Sequence, residues 1–425
     1  MTLPLYSLPV VQNWDCHGCT DCCRQYAVRL TPEEQARIAA QGWDQDPEMA
    51  GVQLFVREGW LLNKQTYLNH HGVGGCVFLN EQGRCRIHAK FGEQAKPLAC
   101  RLYPFVLVPA GSALRVGVRF ACPSVTENRG VPLREHTAAL QAQADAFVEQ
   151  IGWTTPIDPP PLAGSQRVDW PDLFIFVRAL RDILSNERMP VEMCLRKTLA
   201  LSKLCRQARF ERVSGPRLTE FLEVVSASLD VDLAKANTLP PPTRLGRLLF
   251  RQTAAICIRK DGGPDRGLAA KGRWALLGAA VRFVLGVGQV PALHRLIPPV
   301  RFADLEEADP DWNEECEAML RRYFRVKLES LQFCGPTNFR LSFWDGWDML
   351  LLMYPLIRWL TRALRRLPNT DTLSALQRSV RIVDDNFGFH PHLGTLRQRF
   401  AVRILSDRGD LERLIAWYAR VARSE

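Results

Sequence analysis

The chain has 425 residues, of which 47% are hydrophobic and 24% charged, and its formal net charge is +10. This composition is typical of a globular protein and excludes a disordered or fibrous chain. The length predicts two or three domains rather than one. The basic excess is spread along the chain without a run of five or more Lys or Arg, so specific nucleic-acid binding is not indicated.

The first residues and the apolar stretches of the chain predict the cellular compartment of the protein. The first residues lack the basic and apolar segments of a secretory signal. Residues 273 to 290 contain Arg282, and residues 349 to 357 are short and contain Pro355, so neither supplies the roughly 20 apolar residues that span a membrane. We therefore expect a cytoplasmic protein without a transmembrane segment. Thiols stay reduced in that compartment, so the 13 cysteines favour metal ligation over disulfides.

The first third of the chain predicts short strands and helices. Residues 5 to 14 indicate a strand, and Thr31, followed by Pro32 and two Glu, predicts the start of a helix that ends near Gly42. Residues 52 to 68 alternate weakly, as strands do. This region is expected to form a small α+β domain over residues 1–130.

Two hairpins are predicted in the same domain. The β-prone runs on either side of the turn from Asn80 to Gly83 predict a hairpin that carries Cys76 and Cys85 on one face. Residues 105 to 121 predict two more strands around Gly111.

The remainder of the chain predicts helices almost throughout. Residues 132 to 151 form one helix, and a Pro-rich linker follows, so residues 131–165 are read as a connection. Residues 166–425 then form a large all-α domain, which makes the fold class mainly α. The periodicity predicts helices at 171–187, 190–208, 215–234, 243–260, 272–288, 302–326, 345–366, 371–384, 394–405 and 408–423.

Eight cysteines of the N-terminal domain carry the strongest chemical signal. Four of them fall within eight residues, where two-residue spacings let successive sulfurs turn toward one centre while the last points elsewhere. Eight thiolates divide into two four-thiolate sites, or into one site with extra ligands. Zinc and an iron–sulfur cluster both accept four thiolates, so the residues leave the metal open. We expect the ligands, all in loops or at strand ends, to be Cys16, Cys19, Cys22, Cys23, Cys76, Cys85, Cys100 and Cys122.

Other polar residues have weaker roles in this interpretation. Basic residues next to the thiols could offset the charge of the centre and donate hydrogen bonds to sulfur; they are Arg24, Arg84, Arg86 and Arg101. His17 and His88 are the best ligand candidates other than cysteine. Asp384 and Asp385 indicate a helix end near solvent. Residues expected to be structural are the core cysteines Cys194, Cys205, Cys257, Cys316 and Cys334, the turn residues His390 and His392, and a solvated basic face on helix 243–260.

The cysteine pattern resembles the YkgJ-type zinc- or iron-chelating domain, a family named for its CxxCxxCC motif. The resemblance covers roughly residues 14 to 123. It lies in Cys16-x2-Cys19-x2-Cys22-Cys23, Cys76-Val-Phe-Leu, Cys85-Arg-Ile-His and Lys96-Pro97-x2-Cys100-Arg101-x-Tyr103-Pro104-Phe105. The family usually has Arg where this chain has Lys96. Because four blocks match in order, the resemblance is specific.

The same family includes flagellin lysine N-methylases, which carry this domain at their N-terminus. That resemblance implies an iron–sulfur centre, S-adenosylmethionine as methyl donor and a protein-lysine substrate. Residues 155 to 425 show no matching motif, and Gly286-Val287-Gly288 fits the end of a helix rather than a dinucleotide-type turn. The alternative is a metal-binding or electron-transfer module without catalysis, which would use zinc or iron.

Overall fold

The structure is a computed structural model that describes residues 5–6, 11–59, 64–72, 74–153, 155–235, 239–309 and 311–422. The described strands are short and lie in the first third of the chain. They are β1 Leu5–Tyr6, β2 Asn13–Trp14, β3 Phe55–Glu58, β4 Gln65–Leu68, β5 Phe105–Ala110, β6 Ala113–Val118 and β7 Val131–Pro132. Residues 7–10 of the strand predicted at 5–14 lie outside the described residues.

The strands form three small sheets. In the largest, β6 lies between a parallel β1 and an antiparallel β5, and the β5–β6 hairpin turns at Gly111 as predicted. The pairs β2–β7 and β3–β4 are antiparallel. Short helices connect these strands and bring distant cysteines toward each other. They are α1 Asp21–Gln25, α2 Pro32–Ala39, α3 Arg86–Phe91, α4 Leu98–Leu102, α5 Pro123–Thr126 and α6 Thr137–Ile151.

Two predictions for this region need correction. The run after the Asn80 turn is not a strand, because the chain pairs only at Leu79–Cys85 and then enters α3 at Arg86. Asn80 Oδ1 accepts a hydrogen bond from the Arg84 N–H at 2.7 Å and closes the turn before a second strand can form. The cysteines are also not confined to loops and strand ends, since two lie in α1 and one lies in α4.

A helical region follows, so the predicted fold class is confirmed. Its helices are α7 Trp170–Leu184, α8 Val191–Gln207, α9 Gly215–Lys235, α10 Arg244–Cys257, α11 Arg273–Leu285, α12 Glu314–Glu329, α13 Phe343–Leu364, α14 Thr372–Asn386, α15 Leu396–Asp407 and α16 Asp410–Ala419. The helix predicted at 302–326 begins only at Glu314, because Asn313 caps it by accepting a hydrogen bond from the Cys316 N–H. Within the described residues, no helix is both long enough and apolar enough to cross a lipid bilayer.

Helix α13 forms the centre of the helical region. Nearly every one of its side chains is buried, including Trp347 and Trp359. Its first turn passes so close to Phe333 that a Cβ atom on Gly346 would lie 2.0 Å from the Phe333 carbonyl oxygen. Only glycine fits at that position. The charged Arg358 is buried as well, and it donates to Asp309 Oδ2 at 2.6 Å.

Buried apolar residues form two separate cores. A small core in the Cys-rich region contains Leu30, Ile38, Trp43, Met49, Leu68, Val77, Phe78 and Ile87. A much larger core runs from Phe105 to Tyr418 and includes the strands β5 and β6 as well as the helices. The scattered cysteines Cys194, Cys205, Cys257, Cys316 and Cys334 are all buried in this large core, as predicted.

Candidate metal centre

The cysteine-rich loop turns tightly before α1. Gly18 and Thr20 both have φ near +65°, a left-handed conformation that bends the chain between successive cysteines. Cys16 and Cys19 are exposed, whereas Cys22 and Cys23 in α1 are half-buried. The Cys22 and Cys23 sulfurs lie 3.9 Å apart. The loop therefore presents its first thiols to solvent and its last thiols to the interior.

The loop is joined by backbone contacts to the segment that carries Cys76. The Cys76 N–H donates to the Cys23 carbonyl at 2.9 Å. Gly75 has φ +97°, and a Cβ atom there would lie 2.9 Å from the same carbonyl oxygen. Glycine at this position therefore lets the two segments approach. A Cβ atom on Gly83 would lie 3.0 Å from the Thr20 methyl group, so the turn beyond Cys76 also packs on the loop.

Cys85 and Cys100 are positioned by short helices. Cys85 precedes the first residue of α3 and faces Leu79 across an isolated bridge. Cys100 lies in α4, whose first N–H, that of Leu98, donates to Glu34 Oε1 at 2.7 Å. Glu34 belongs to the capping box of α2, where its side chain and that of Thr31 bond each other's backbone N–H groups. The start of α2 thus fixes the helix that holds Cys100.

Cys122 comes from the segment that follows β6. It precedes α5, and it is the only one of the eight thiol-bearing residues that is fully buried. His17 Nδ1 lies 3.0 Å from Ser124 Oγ, which joins the exposed part of the loop to α5. The Trp14 indole N–H is buried, makes no hydrogen bond with any described residue, and lies near enough to Cys122 to lower the pKa of its thiol.

The pKa shifts show which thiols are neighbours. Burial raises the pKa of Cys100, and repulsion from Cys76, Cys85 and Cys22 raises it further. Burial likewise raises the pKa of Cys76 to about 12, with smaller contributions from Cys85 and Cys22. These four residues, Cys22, Cys76, Cys85 and Cys100, are called the inner thiols below. Buried thiols that repel one another as thiolates stay protonated at neutral pH unless a cation compensates them.

A second set joins the two exposed thiols of the loop to the buried Cys122. Burial raises the pKa of Cys19, and the nearby Cys22 and Cys16 raise it further. Burial also raises the pKa of Cys122 to about 11, with a contribution from Cys19. Cys16, Cys19 and Cys122 are called the outer thiols, and Cys22 adjoins both sets. Among the described residues, no three Cys, His, Asp or Glu side chains converge closely enough to ligate one ion as they stand.

The donor chemistry of these thiols fits zinc or iron. Seven sulfurs from five separate segments each lie close enough to another thiol of their set to interact with it electrostatically, and none of the seven is in a disulfide. Sulfur ligands select zinc or iron–sulfur centres over magnesium or calcium. The unpartnered Trp14 N–H beside Cys122 is also the kind of donor that stabilises a metal-bound thiolate.

Two of the four basic residues that were predicted to offset the charge of the centre have other partners. Arg86 binds Glu48 and Arg101 binds Gln94, so neither is directed to sulfur. Lys96 is instead close enough to Cys22 and Cys100 to lower the pKa of both thiols, against the larger opposing effects of hydrogen bonding and burial. His88 is exposed, and both hydrogen bonds of His17 involve Nδ1, which leaves its Nε2 as the ring nitrogen that could ligate.

A small cavity adjoins the centre on the side of the helical region. This polar cleft has a volume of about 50 Å³, and Asp21 and Gln25 of α1 form one of its walls. Residues of the helical region form the other wall: Lys260, Asp265, His294, Arg378, Arg381 and Asp385. Tyr103 also lines the cleft, and it lies near both Cys22 and Cys122. The cleft therefore connects the thiols to the helical region.

Asp385 organises the polar cleft. Its Oδ1 accepts hydrogen bonds from the Tyr26 hydroxyl at 2.7 Å and from Arg119 at 2.9 Å, and its Oδ2 accepts one from Lys260 at 2.5 Å. Burial alone would raise the pKa of Asp385, but Lys260 and Arg119 lower it. The neighbouring Asp384 is fully buried and pairs with Lys327 at 2.6 Å. The prediction that these two aspartates lie near solvent is therefore wrong.

Residues 15–129 match the model of the CxxCxxCC family, which is described as "Putative zinc- or iron-chelating domain". The matched range includes all eight cysteines, and it confirms for this part of the chain the resemblance that the motif predicted. No curated protein and no solved structure matches the chain.

Sequence reasoning missed the residues that surround the thiols. Trp14 carries no signal of its own, since aromatic residues are common in cores, and Tyr103 was noted only as part of a family motif. Lys260, His294 and Asp385 come from far along the chain, so no local spacing points to them. Lys96 was visible as a departure from the usual Arg of the family, but the sequence alone does not show that it faces the sulfurs.

Proposed function

We propose that this protein binds zinc or iron through the thiolates of its N-terminal cysteines. The observation that supports this proposal is the proximity of the inner thiols, which come from four separate segments, are half-buried, and lie near enough to one another to raise the pKa of Cys76 and Cys100. Bringing so many sulfurs together has no packing advantage over alkyl side chains. The grouping is explained by a cation that the inner thiols bind together.

The two sets of thiols suggest two positions for metal. Cys22, Cys76, Cys85 and Cys100 supply four thiolates, the number that a zinc ion or a cubane iron–sulfur cluster takes. Cys16, Cys19 and Cys122 supply three more, and Cys23 is adjacent to both sets through Cys22. Lys96 would offset part of the negative charge at the inner set. When bound, an iron–sulfur cluster would supply electron transfer and zinc would supply structural stability.

Metal content of the full chain, purified without oxygen, tests this proposal. We expect bound zinc or iron, with visible absorbance only in the iron–sulfur case. Cys22→Ser and Cys100→Ser should abolish metal at the inner set, while Cys19→Ser should reduce the total and leave the inner metal in place. Cys316→Ser, a buried cysteine of α12, is the matched control and should keep the full metal content. A chain that folds and carries no zinc or iron, or the same loss in Cys316→Ser, would contradict the proposal.

The polar cleft favours a second candidate, an enzyme that uses the metal centre beside a substrate site. The cleft lies between α1 and the helical region, and fixed donors and acceptors line it. The resemblance to flagellin methylases supplies the reaction. A lysine amine would attack the methyl group of S-adenosylmethionine, the methyl–sulfur bond would break, and S-adenosylhomocysteine and a proton would be released.

Methyl transfer is tested with labelled S-adenosylmethionine and a cell extract. We expect the anaerobically purified chain to label a protein band, and Asp385→Asn to reduce labelling while metal content stays unchanged. Asp182→Asn removes an exposed carboxylate of α7 and should label normally. If the wild-type chain holds its metal and transfers no label, the enzyme is excluded and the metal-binding proposal remains.

A further inference from the structure

Helix α11 exposes an apolar face that nothing in the described chain covers. Trp274 is 84% exposed, Leu277 56%, Val281 50% and Leu285 59%. Their spacing of three or four residues puts them on one side of the helix. A helix that is apolar almost all round is normally buried, so this surface is expected to be covered by another molecule.

Helix α15 exposes a second apolar face. Leu396 is 71% exposed, Phe400 62% and Ile404 38%, and the four-residue spacing aligns them along the helix. Phe389, just before this helix, is 49% exposed. The two faces together form an exposed apolar surface of the kind that marks an interaction site in a soluble protein.

A groove separates the two helices, and we call it the α11–α15 groove. It encloses about 260 Å³. Ala255 and Ile256 of α10 form its floor, Ala280 and Phe283 of α11 form one wall, and residues 390–398 form the other. Arg251 of α10 donates to the carbonyls of Phe283 and Val284 at 2.9 and 3.0 Å, so the α11 wall is held in place by the floor.

One end of the groove is polar. Arg259, His390 and Arg397 line it. The His390 side chain is 10% exposed, and its Nε2 makes no hydrogen bond with any described residue, the Asp261 carboxylate being 3.8 Å away. A buried ring nitrogen without a partner costs free energy unless another molecule supplies one.

The Lys and Arg residues of the segments that form the two walls give both walls a positive charge. Residues 266–287 and 388–404 together contain seven Lys or Arg and no Asp or Glu. An occupant that reaches over the rim of the groove would therefore meet basic side chains on both sides. Acidic groups on the occupant would be attracted and basic groups repelled.

We propose that the α11–α15 groove binds an amphipathic helix of a partner protein, with apolar side chains in the groove and Asp or Glu side chains toward its rim. A small molecule would fill the cavity and leave the faces of α11 and α15 exposed. A flat lipid surface would cover the faces and leave the cavity and His390 unfilled. A helix that lies in the groove would fill the cavity and also cover the exposed faces of α11 and α15, as in other helix-in-groove interfaces.

The probe is a synthetic, fluorescently labelled helical peptide of roughly five turns, with Leu along one face and Glu on the other. Binding to the full, metal-loaded chain is measured by anisotropy. A second peptide with Lys in place of Glu and a scrambled acidic peptide are the comparison probes. We expect the acidic helix to bind at least about tenfold more tightly than the Lys peptide or the scrambled peptide, since apolar fit and charge both contribute.

Two substitutions locate the binding site. Val281→Ser and Arg397→Glu should each weaken the acidic peptide about tenfold, the size of a typical interface anchor. Val224→Ser, in a residue 65% exposed on α9, and Arg209→Glu, at an 86% exposed side chain, are matched controls and should leave binding unchanged. These surface changes should not affect metal content or folding.

Three outcomes would overturn the proposal. The acidic helix could bind no better than the scrambled peptide, or Val281→Ser could bind as tightly as the wild-type chain. Alternatively, the protein could sediment with phosphatidylglycerol vesicles in a manner abolished by Val281→Ser. The last result would make the surface a membrane contact instead.

Discussion

The Cys-rich region and the helical region achieve their order by different means. Between Leu30 and Ile87 the first has a separate core of only eight buried residues, which is small for offsetting the conformational entropy of the residues around it. The second is built around α13, whose side chains are almost all buried. We infer from this difference that the N-terminal fold needs an additional source of stability, which a thiolate-bound metal would supply.

The two regions are nevertheless physically joined. Strands β5 and β6 belong to the large core, and Tyr26 and Arg119 of the N-terminal region both bind Asp385 of α14. Arg119 also stacks on Phe389, with its guanidinium carbon 3.9 Å from the ring centroid. A change at the thiols can therefore reach the helices through the polar cleft. The four predictions below test how far the regions can be separated, from the largest expected effect to the smallest.

Removing the metal should unfold the part of the Cys-rich region around its small core and leave the large core, including β5 and β6, folded. Structural zinc in small domains contributes on the order of 10 kcal/mol, which exceeds what the small core can replace. Calorimetry of the full chain should show two transitions, of which chelation removes the first. Chelator already saturated with zinc is the control. Two transitions that stay in place after complete metal removal would contradict the account.

Asp384→Asn should destabilise the helical region by about 3–5 kcal/mol, because it leaves the buried Lys327 ammonium without its partner. The two side chains are 1% and 0% exposed and 2.6 Å apart. Urea unfolding followed by circular dichroism measures the change. Asp182→Asn, which breaks an exposed pair with Arg181, should cost less than about 1 kcal/mol.

If Asp384→Asn fails to fold, the double variant Lys327→Met/Asp384→Leu tests the same buried pair. It removes both charges and should recover most of the lost stability. Equal effects of Asp384→Asn and Asp182→Asn would show that the buried pair is not needed.

Metal affinity should rise with pH, whereas the stability of the metal-free protein should fall as the pH rises. Burial raises the pKa of Cys76 to about 12 and of Cys122 to about 11, above the ordinary thiol value of 9.0. Metal must displace these protons, so its affinity should rise with pH by about tenfold per unit for each proton released. Without metal, the stabilising effect of the protonated thiols is present below pH 9 and is lost as the pH rises through these pKa values.

Competition with a coloured chelator at several pH values measures the first effect, and thermal unfolding of the chelated protein measures the second. An affinity that does not change with pH would exclude the buried thiols as ligands. Cys316→Ser should behave like the wild-type chain in both measurements.

The smallest expected effects come from two helix caps, one in each region. Thr31→Ala removes the acceptor of the Glu34 N–H, and Asp371→Ala removes the acceptor of the Ser374 N–H at 2.8 Å. Each should cost about 1 kcal/mol. Thr31→Ala should lower only the first calorimetric transition and Asp371→Ala only the second. If both substitutions shift the same transition, the chain unfolds as one unit and the comparison of regions fails.

Much of the fold could be predicted because its signals are local. Thr31 begins α2 through a capping box, Gly111 turns the β5–β6 hairpin, and apolar periodicity locates most helices within a few residues. The errors arose where a tertiary partner decides the structure. Asp309, inside the helix predicted at 302–326, is buried against Arg358 of α13, and no pattern near Asp309 indicates that contact.

The candidate metal centre was likewise only partly predictable from the sequence. The cysteine spacing identified the family, because ligand chemistry is carried by residue type and separation. It did not reveal that Cys22 adjoins both sets of thiols, that Lys96 is a nearby cation, or that Asp384 and Asp385 bond to Phe120 and Arg119 of the N-terminal region. Such contacts depend on how the helical region packs on β6 and α5, and the local sequence does not encode that packing.

X-ray absorption at the zinc and iron edges of the anaerobically purified chain tests the central claim most directly. The account predicts sulfur neighbours at about 2.3 Å from the metal, in a signal that Cys22→Ser and Cys100→Ser each reduce and Cys316→Ser preserves. A first shell made only of oxygen or nitrogen, or a sulfur signal that neither inner-thiol substitution reduces, would contradict it.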